Sequence, residues 1–247
     1  MSQSILPLEL DGLTFEAGGK KLIKEVSHRF EANRKTIVLG PNGAGKSLLL
    51  RLCHGLIEPS AGQVKWATAS GREAAHHQAM VFQRPVMLRR TAAANVEYAL
   101  SLRGHSGRDR ARLTERALER TGLAHLSDTP ARVMSFGEQQ RLALARAWAL
   151  APQVLFLDEP TASLDPAATH AVEEIIEAID SAGTRIIMTT HNLGQARRLA
   201  DDIIFMHRGR IKETGSTETF FSAPKNDLAR AFINGELLWK KQKEISL

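Results

Sequence analysis

The sequence predicts an α/β protein built on a mainly parallel central sheet. Three observations point there. Short apolar runs rich in valine and isoleucine alternate with helical patterns along the 247 residues. One such run ends in a glycine-rich turn that opens a helix, and another ends in two adjacent carboxylates. Taken in order, residues 36–39 (Thr-Ile-Val-Leu) read as a buried strand, and an apolar helix follows from Lys46 to about Leu56. Pro59, Ser60, Ala61 and Gly62 read as a turn, residues 63–66 as a short strand, and 80–83 as a strand end. From about 91 to 126 the pattern is helical and charged, broken by Gly104, Gly107 and Gly122. A helix from about 136 to 150 precedes a strong strand at 154–157. Asp165 is a good N-cap with Pro166 in the first helical position, and that helix ends near Gly183. A strand at 185–190, a helix from Leu193 and a hairpin-like pair around Arg208 and Gly209 complete the pattern. No internal repeat or low-complexity segment is present.

Composition bounds the function classes. Hydrophobic residues at 43% and charged residues at 24% are those of an ordinary globular protein, and no apolar run approaches the length of a membrane span. The first residues lack a basic segment followed by a long apolar stretch, so no secretory signal is expected. One cysteine, Cys53, permits no internal disulfide and fits a reducing compartment; it reads as a small core residue. The net charge of +6 raises the question of nucleic acid, but acidic residues interleave with the basic ones, as from Arg108 to Arg120, and a solvated helix face is the expected reading. His76 and His77 stand in a polar stretch without further ligands nearby, and no metal site is expected there. The lysine-rich tail around Trp239 is expected to be a frayed or docked terminal segment.

Gly40-Pro41-Asn42-Gly43-Ala44-Gly45-Lys46-Ser47 fits G-x-x-x-x-G-K-[ST] between a strand and a helix, as a P-loop requires. Glycines let backbone N–H groups turn inward around phosphates, and the helix N-terminus adds a positive dipole end. Lys46 is expected on the β- and γ-phosphates and Ser47 on Mg²⁺. Asp158, closing the apolar strand, is expected to complete the Mg²⁺ site; Glu159, just beyond it, is placed to polarise an attacking water. Together these motifs define a P-loop NTPase without saying which.

Further landmarks supply the resemblance. Met134-Ser135-Phe136-Gly137-Glu138, followed by Gln139, Gln140 and Arg141, is similar to the LSGGQ signature of ABC ATPases. Gln83 resembles that family's Q-loop glutamine, residues 162–165 its D-loop, and His191 its switch histidine; Phe15 stands where the family has an aromatic that stacks on adenine. The likeness runs from about Leu8 to Phe232. It implies a RecA-like P-loop core with a small antiparallel β subdomain and an inserted helical subdomain. The chain is expected to form one nucleotide-binding module: core at about 1–85 and 136–234, insertion at about 86–135, and a short tail at 235–247.

The resemblance also implies a mechanism. Two copies face each other head to tail over two ATP molecules. Residues 40–48, including Leu48, hold each ATP, with Ser47, Gln83 and Asp158 on its Mg²⁺. Ser135, Phe136, Gly137 and Glu138 of the other copy close over the γ-phosphate. Glu159 activates water, His191 holds the γ-phosphate, and Asp165 links the two sites. Phe136, where the family has glycine, is the main departure. Separate permease subunits and, indirectly, a solute-binding protein are implied as partners at the cytoplasmic face of a membrane, with no nucleic acid. The segment 84–90 and the ending 235–239 look similar to ATPases of tungstate-type oxyanion uptake. Phosphate, molybdate or amino-acid import, a hydrolysis-impaired regulatory chain and a non-transport ABC ATPase are the alternatives.

Overall fold

In the computed structural model, which describes residues 4–32, 34–68 and 71–236, two sheets carry the chain. The elements run β1 (Leu8–Ala17), β2 (Lys20–Phe30), β3 (Thr36–Leu39), α1 (Lys46–His54), β4 (Ala61–Trp66), α2 (Gly71–Ala75) and β5 (Gln78–Val81). Then come α3 (Ala92–Leu102), α4 (Gly107–Arg120), α5 (Phe136–Ala149), β6 (Val154–Asp158), α6 (Pro166–Ser181) and β7 (Arg185–Thr190). The chain continues through α7 (Leu193–Leu199), β8 (Asp202–His207), β9 (Arg210–Ser216), α8 (Thr217–Ser222) and α9 (Asp227–Ile233).

The larger sheet has the order β5-β6-β7-β3-β8-β9, parallel except for β9 at its edge. Its inner strands are apolar on both faces because both faces are covered. Leu155 and Leu157 point into the core beneath α5 and α6, while Val154 and Phe156 point into a second core shared with α1 and the smaller sheet. That smaller sheet, β2-β1-β4, is antiparallel. Helices α3 and α4 fall between β5 and α5 in the chain, and Val96, Leu100, Ala117 and Leu118 pack them into the same core as Leu142 and Leu144 of α5.

Most expected elements appear at their expected places, with instructive differences at the edges. The last two residues of the expected turn at 59–62, Ala61 and Gly62, already enter β4, because Ala61 pairs with Thr14 of β1 across a bulge. The expected strand at 80–83 starts two residues earlier, drawn into register by parallel pairing with β6 from Gln78↔Val154 to Val81↔Leu157. The first helix stops at His54, with Gly55 in the left-handed region as its cap. Strands β1 and β2, although long, carry weak alternation, with only three of eleven β2 residues buried. The tail around Trp239 lies outside the described residues. Among the described residues no helix is long and apolar enough to cross a membrane.

Candidate functional site

The parallel strands β3, β6 and β7 end side by side, so the loops that follow them converge. After β3, the loop enters α1 through Gly45, whose φ of 101° is closed to most side chains. The Leu49 N–H already donates to the Gly45 carbonyl at 2.9 Å, leaving the first amides of the helix pointing outward. The loop is braced from behind by the β8–β9 turn: the Gly209 N–H donates to the Ala44 carbonyl at 2.8 Å, and the Gly209 carbonyl accepts from Lys24 at 2.9 Å. At Gly209, φ is 77°, and a Cβ there would lie 2.2 Å from the Leu22 carbonyl oxygen, so only glycine fits the brace.

Lys46 is almost fully buried, 5% exposed. Its Nζ donates to the Gly40 and Pro41 carbonyls at 2.8 and 3.2 Å and lies 3.1 Å from Glu159 Oε1. Glu159 Oε2 is 3.0 Å from His191 Nδ1. One carboxylate therefore spans the ammonium on one side and the imidazole on the other. Its backbone is held in the left-handed region, φ 44°, an uncommon conformation for a non-glycine residue. The Glu159 N–H donates to Thr189 Oγ1 at 2.9 Å, and Thr189 in turn donates to Asp158 Oδ1 at 2.8 Å. Ser47 Oγ donates to the same Asp158 oxygen at 2.7 Å.

These groups front an open cleft of about 840 Å³ lined by residues 42–48, Gln83, Glu159, residues 161–164 and His191, with Leu22 at its margin. Gly40 and Pro41 are not part of the lining; their carbonyls hold Lys46 instead. Asp158, 3% exposed, sits beneath Ser47. The serine hydroxyl and aspartate at that point, with Gln83 elsewhere on the cleft wall, are hard oxygen donors suited to Mg²⁺ sharing its shell with phosphates. No group of three or more histidine, cysteine or acidic residues able to hold a metal by itself occurs among the described residues.

The other expected site residues do not line the cleft. Phe15 is half-buried on β1 opposite Ile23, packed against the smaller-sheet core. Asp165 caps α6, accepting from the Ala168 N–H at 2.8 Å. Ser135 caps α5 in a reciprocal arrangement with Glu138: Glu138 Oε2 accepts from the Ser135 N–H at 2.7 Å and from Ser135 Oγ at 2.8 Å, and the Glu138 N–H donates back to Ser135 Oγ at 3.3 Å. Those Ser135 hydrogen bonds hold the Glu138 carboxyl below its usual range. Phe136, in the first helical position, leaves this capped start intact and is itself half-buried. Gly137 faces α6, where a Cβ would come within 3.1 Å of Ala168 Cβ. Sequence reasoning missed Thr189, Asn192, which caps α7 through the Gln195 N–H at 3.0 Å, and Gln195 itself. For Thr189 a signal existed, two threonines ending an apolar strand.

Comparison with known proteins places the chain in a family. Residues 23–162 match the family model described as ABC transporter. The chain is 36% identical over 249 residues to a phosphate import ATP-binding protein of Natronomonas pharaonis, covering 94% of this chain and 88% of that protein. It is 35% identical over 217 residues to a tungstate uptake system ATP-binding protein of Peptoclostridium acidaminophilum, covering 87% of this chain and all of that protein. Among solved structures it resembles cbiO1 of Clostridium perfringens, part of the ABC transporter complex cbiONQ, with a TM-score of 0.79 at 26% identity over 93% of this chain and 95% of that one.

Proposed function

This chain belongs to the ABC transporter family of ATP-hydrolysing subunits, and from that premise we propose that it energises solute import through a separate permease. The observation that carries the residue-level reading is Glu159 held between Lys46 and His191, over a Ser47–Asp158 pair, in one cleft.

In this reading the ATP phosphates displace Glu159 from Lys46 and take over its ammonium, together with the outward amides of residues 42–48. Ser47, Asp158 and Gln83 would hold Mg²⁺, which would neutralise phosphate charge when bound. Glu159, freed from Lys46, accepts a proton from the attacking water, and His191 steadies the γ-phosphate that it now faces. Phosphoryl transfer needs mainly positioning and charge neutralisation, and these groups supply both. Ser135, Phe136, Gly137 and Glu138 do not line this chain's own cleft, which supports their acting on the ATP of a second copy in a head-to-tail homodimer, with Asp165 near the shared boundary. We read residues 1–247 as one module, with the helical insertion at about 86–135 as the part that reports nucleotide state to the permease at the cytoplasmic face of the membrane. Phe15 is the expected platform for adenine.

For the transported solute we propose an oxyanion, with tungstate as the specific reading. Phosphate and tungstate import subunits stand among the relatives beside amino-acid ones of similar identity, and the likeness of segments 84–90 and 235–239 to tungstate systems supports the choice. The test has two arms. Phosphate release by the purified chain, abolished in Glu159→Gln, tests the site. Tungstate uptake in cells carrying the cognate permease, with ATP turnover of the assembled transporter responding to tungstate, tests the solute. Turnover stimulated by phosphate or an amino acid, and unmoved by tungstate, would replace the solute and leave the site reading standing.

A further inference from the structure

We infer that Gln195 is a positioning residue for ATP hydrolysis, clamping the turn that carries Glu159 to the helix that follows His191. The inference rests on the proposed role of Glu159. The turn after β6 is under strain: Glu159 at φ 44° and Ser163 at φ 69° both occupy the left-handed region without being glycine. Such conformations persist only where the surroundings over-determine them. Upstream, the anchor is Thr189, which accepts the Glu159 N–H. Downstream, the anchor is Gln195, 1% exposed, whose Nε2 donates to Thr161 Oγ1 at 2.8 Å.

The second hydrogen on Gln195 Nε2 goes to Glu173 Oε1 of α6 at 3.0 Å. Glu173 is also buried, and Arg198 of α7 neutralises it through two bonds, Nη2 to Oε1 at 2.7 Å and Nε to Oε2 at 3.0 Å. One amide thus ties together the Glu159 turn, α6 and α7. On the α7 side the tie is short. The Gln195 N–H donates to Asn192 Oδ1, and the Asn192 N–H donates to Thr190 Oγ1, so His191 is held between two braced neighbours. His191 and Glu159, 3.0 Å apart, are then fixed relative to one another through backbone as well as through their own contact.

The unpaired atom identifies what the side chain contributes. Gln195 Oε1 is buried with no hydrogen-bond partner among the described residues. Only the two N–H groups are used, and they satisfy two acceptors at once. A carboxylate in the same place has no hydrogen to give and meets Glu173 as a like charge, whereas leucine of similar volume leaves Thr161 and Glu173 each short of a donor.

The experiment compares steady-state hydrolysis, ATP affinity and melting temperature for Gln195→Leu, Thr161→Val, Thr161→Ser and the Gln195→Leu/Thr161→Val double variant of the full chain. Misplacing Glu159 by a fraction of an ångström is expected to lower kcat by about tenfold in Gln195→Leu and in Thr161→Val. ATP affinity should stay within about twofold, since neither change touches residues 42–48. Thr161→Ser keeps the hydroxyl and should restore kcat. Because Thr161→Val breaks a contact that Gln195→Leu already breaks, the double variant should lose no more than Gln195→Leu alone. Wild-type kcat in Thr161→Val, additive losses in the double variant, or a parallel fall in ATP affinity would each overturn the inference. If Gln195→Leu does not fold, the Thr161→Val and Thr161→Ser pair decides by itself. Turnover that survives Glu159→Gln is a different pattern, and it removes the reading of Glu159 beneath the inference as well as the inference.

Discussion

Lys46 Nζ lies 3.1 Å from Glu159 Oε1, so the ammonium expected on the phosphates and the carboxylate expected to activate water neutralise one another in one close pair. Nucleotide has to compete for Lys46. Glu159→Gln removes the competing charge along with the base. Hydrolysis is expected to fall by about a hundredfold or more, while ATP binds about fivefold tighter, a gain equivalent to about 1 kcal/mol. Phosphate release and titration calorimetry check the two halves separately. Loss of binding together with turnover would move Glu159 into the nucleotide-holding set.

Gly209→Ala tests the brace behind the P-loop. The new Cβ meets the Leu22 carbonyl oxygen at 2.2 Å on a residue whose φ is 77°, so the turn has to shift and loosen its bond to Ala44. The strain is expected to cost about 1–3 kcal/mol, lowering the melting temperature by about 2–4 °C per kcal/mol in a chain of this size. ATP affinity should fall as well, although residue 209 does not line the cleft. A lowered melting temperature at unchanged affinity would make the brace purely structural.

The α5 cap is expected to titrate. Hydrogen bonds from Ser135 hold the folded-state pKa of Glu138 below its usual value. A depressed carboxyl pKa stabilises the fold fully above the unfolded value, about 4.3, and that stabilisation is lost as pH falls through the folded value. The difference in melting temperature between the wild type and Glu138→Gln should therefore be flat above about pH 5.5 and shrink as acid is added. A difference independent of pH down to 3 would mean that the cap does not depend on the charge. Ser135→Ala should cost about 1 kcal/mol at neutral pH.

The same cap bears on dimer closure. Glu138 occupies both the Ser135 N–H and hydroxyl, the groups expected to meet the γ-phosphate of a partner copy, and it brings a like charge to that end of α5. In the Glu159→Gln background with ATP and Mg²⁺, Glu138→Gln should strengthen dimer formation by about tenfold, since one charge-assisted contact is worth about 1.5–3 kcal/mol. Phe136→Gly in the same background separates the effect of bulk from that of charge. Light scattering reads both, and a dimer insensitive to either change would show that this face meets the partner in another way.

Cys53 is 1% exposed, and burial pushes its thiol up from the ordinary range, so almost no thiolate exists at neutral pH. Alkylating reagents are expected to leave the folded chain unlabelled and to modify one thiol after denaturation. Rapid labelling of the native protein would place Cys53 at an opening segment.

The chemistry was legible in the sequence because it depends on local order. The P-loop needs glycines at fixed offsets before Lys46, Asp158 and Glu159 announce themselves by ending an apolar run, and Asp165 with Pro166 marks a helix start; each signal lies within a few residues. The parallel sheet was legible for a similar reason, since strands buried on both faces read as unbroken apolar runs. Long-range placement was not. Nothing near Gly209 says that its amide holds Ala44, nothing near Gln195 says that it reaches Thr161 and Glu173, and nothing near Lys46 says that Glu159, more than a hundred residues on, is its partner. Strands β1 and β2 were silent because a sheet with one solvated face can carry charge along most of its length. The sequence by itself determined which chemical groups this protein carries and on which elements they ride. Only the tertiary structure decided which groups touch, because a hydrogen bond a few ångströms long is fixed by how strands and helices pack, and packing draws together residues from every part of the chain.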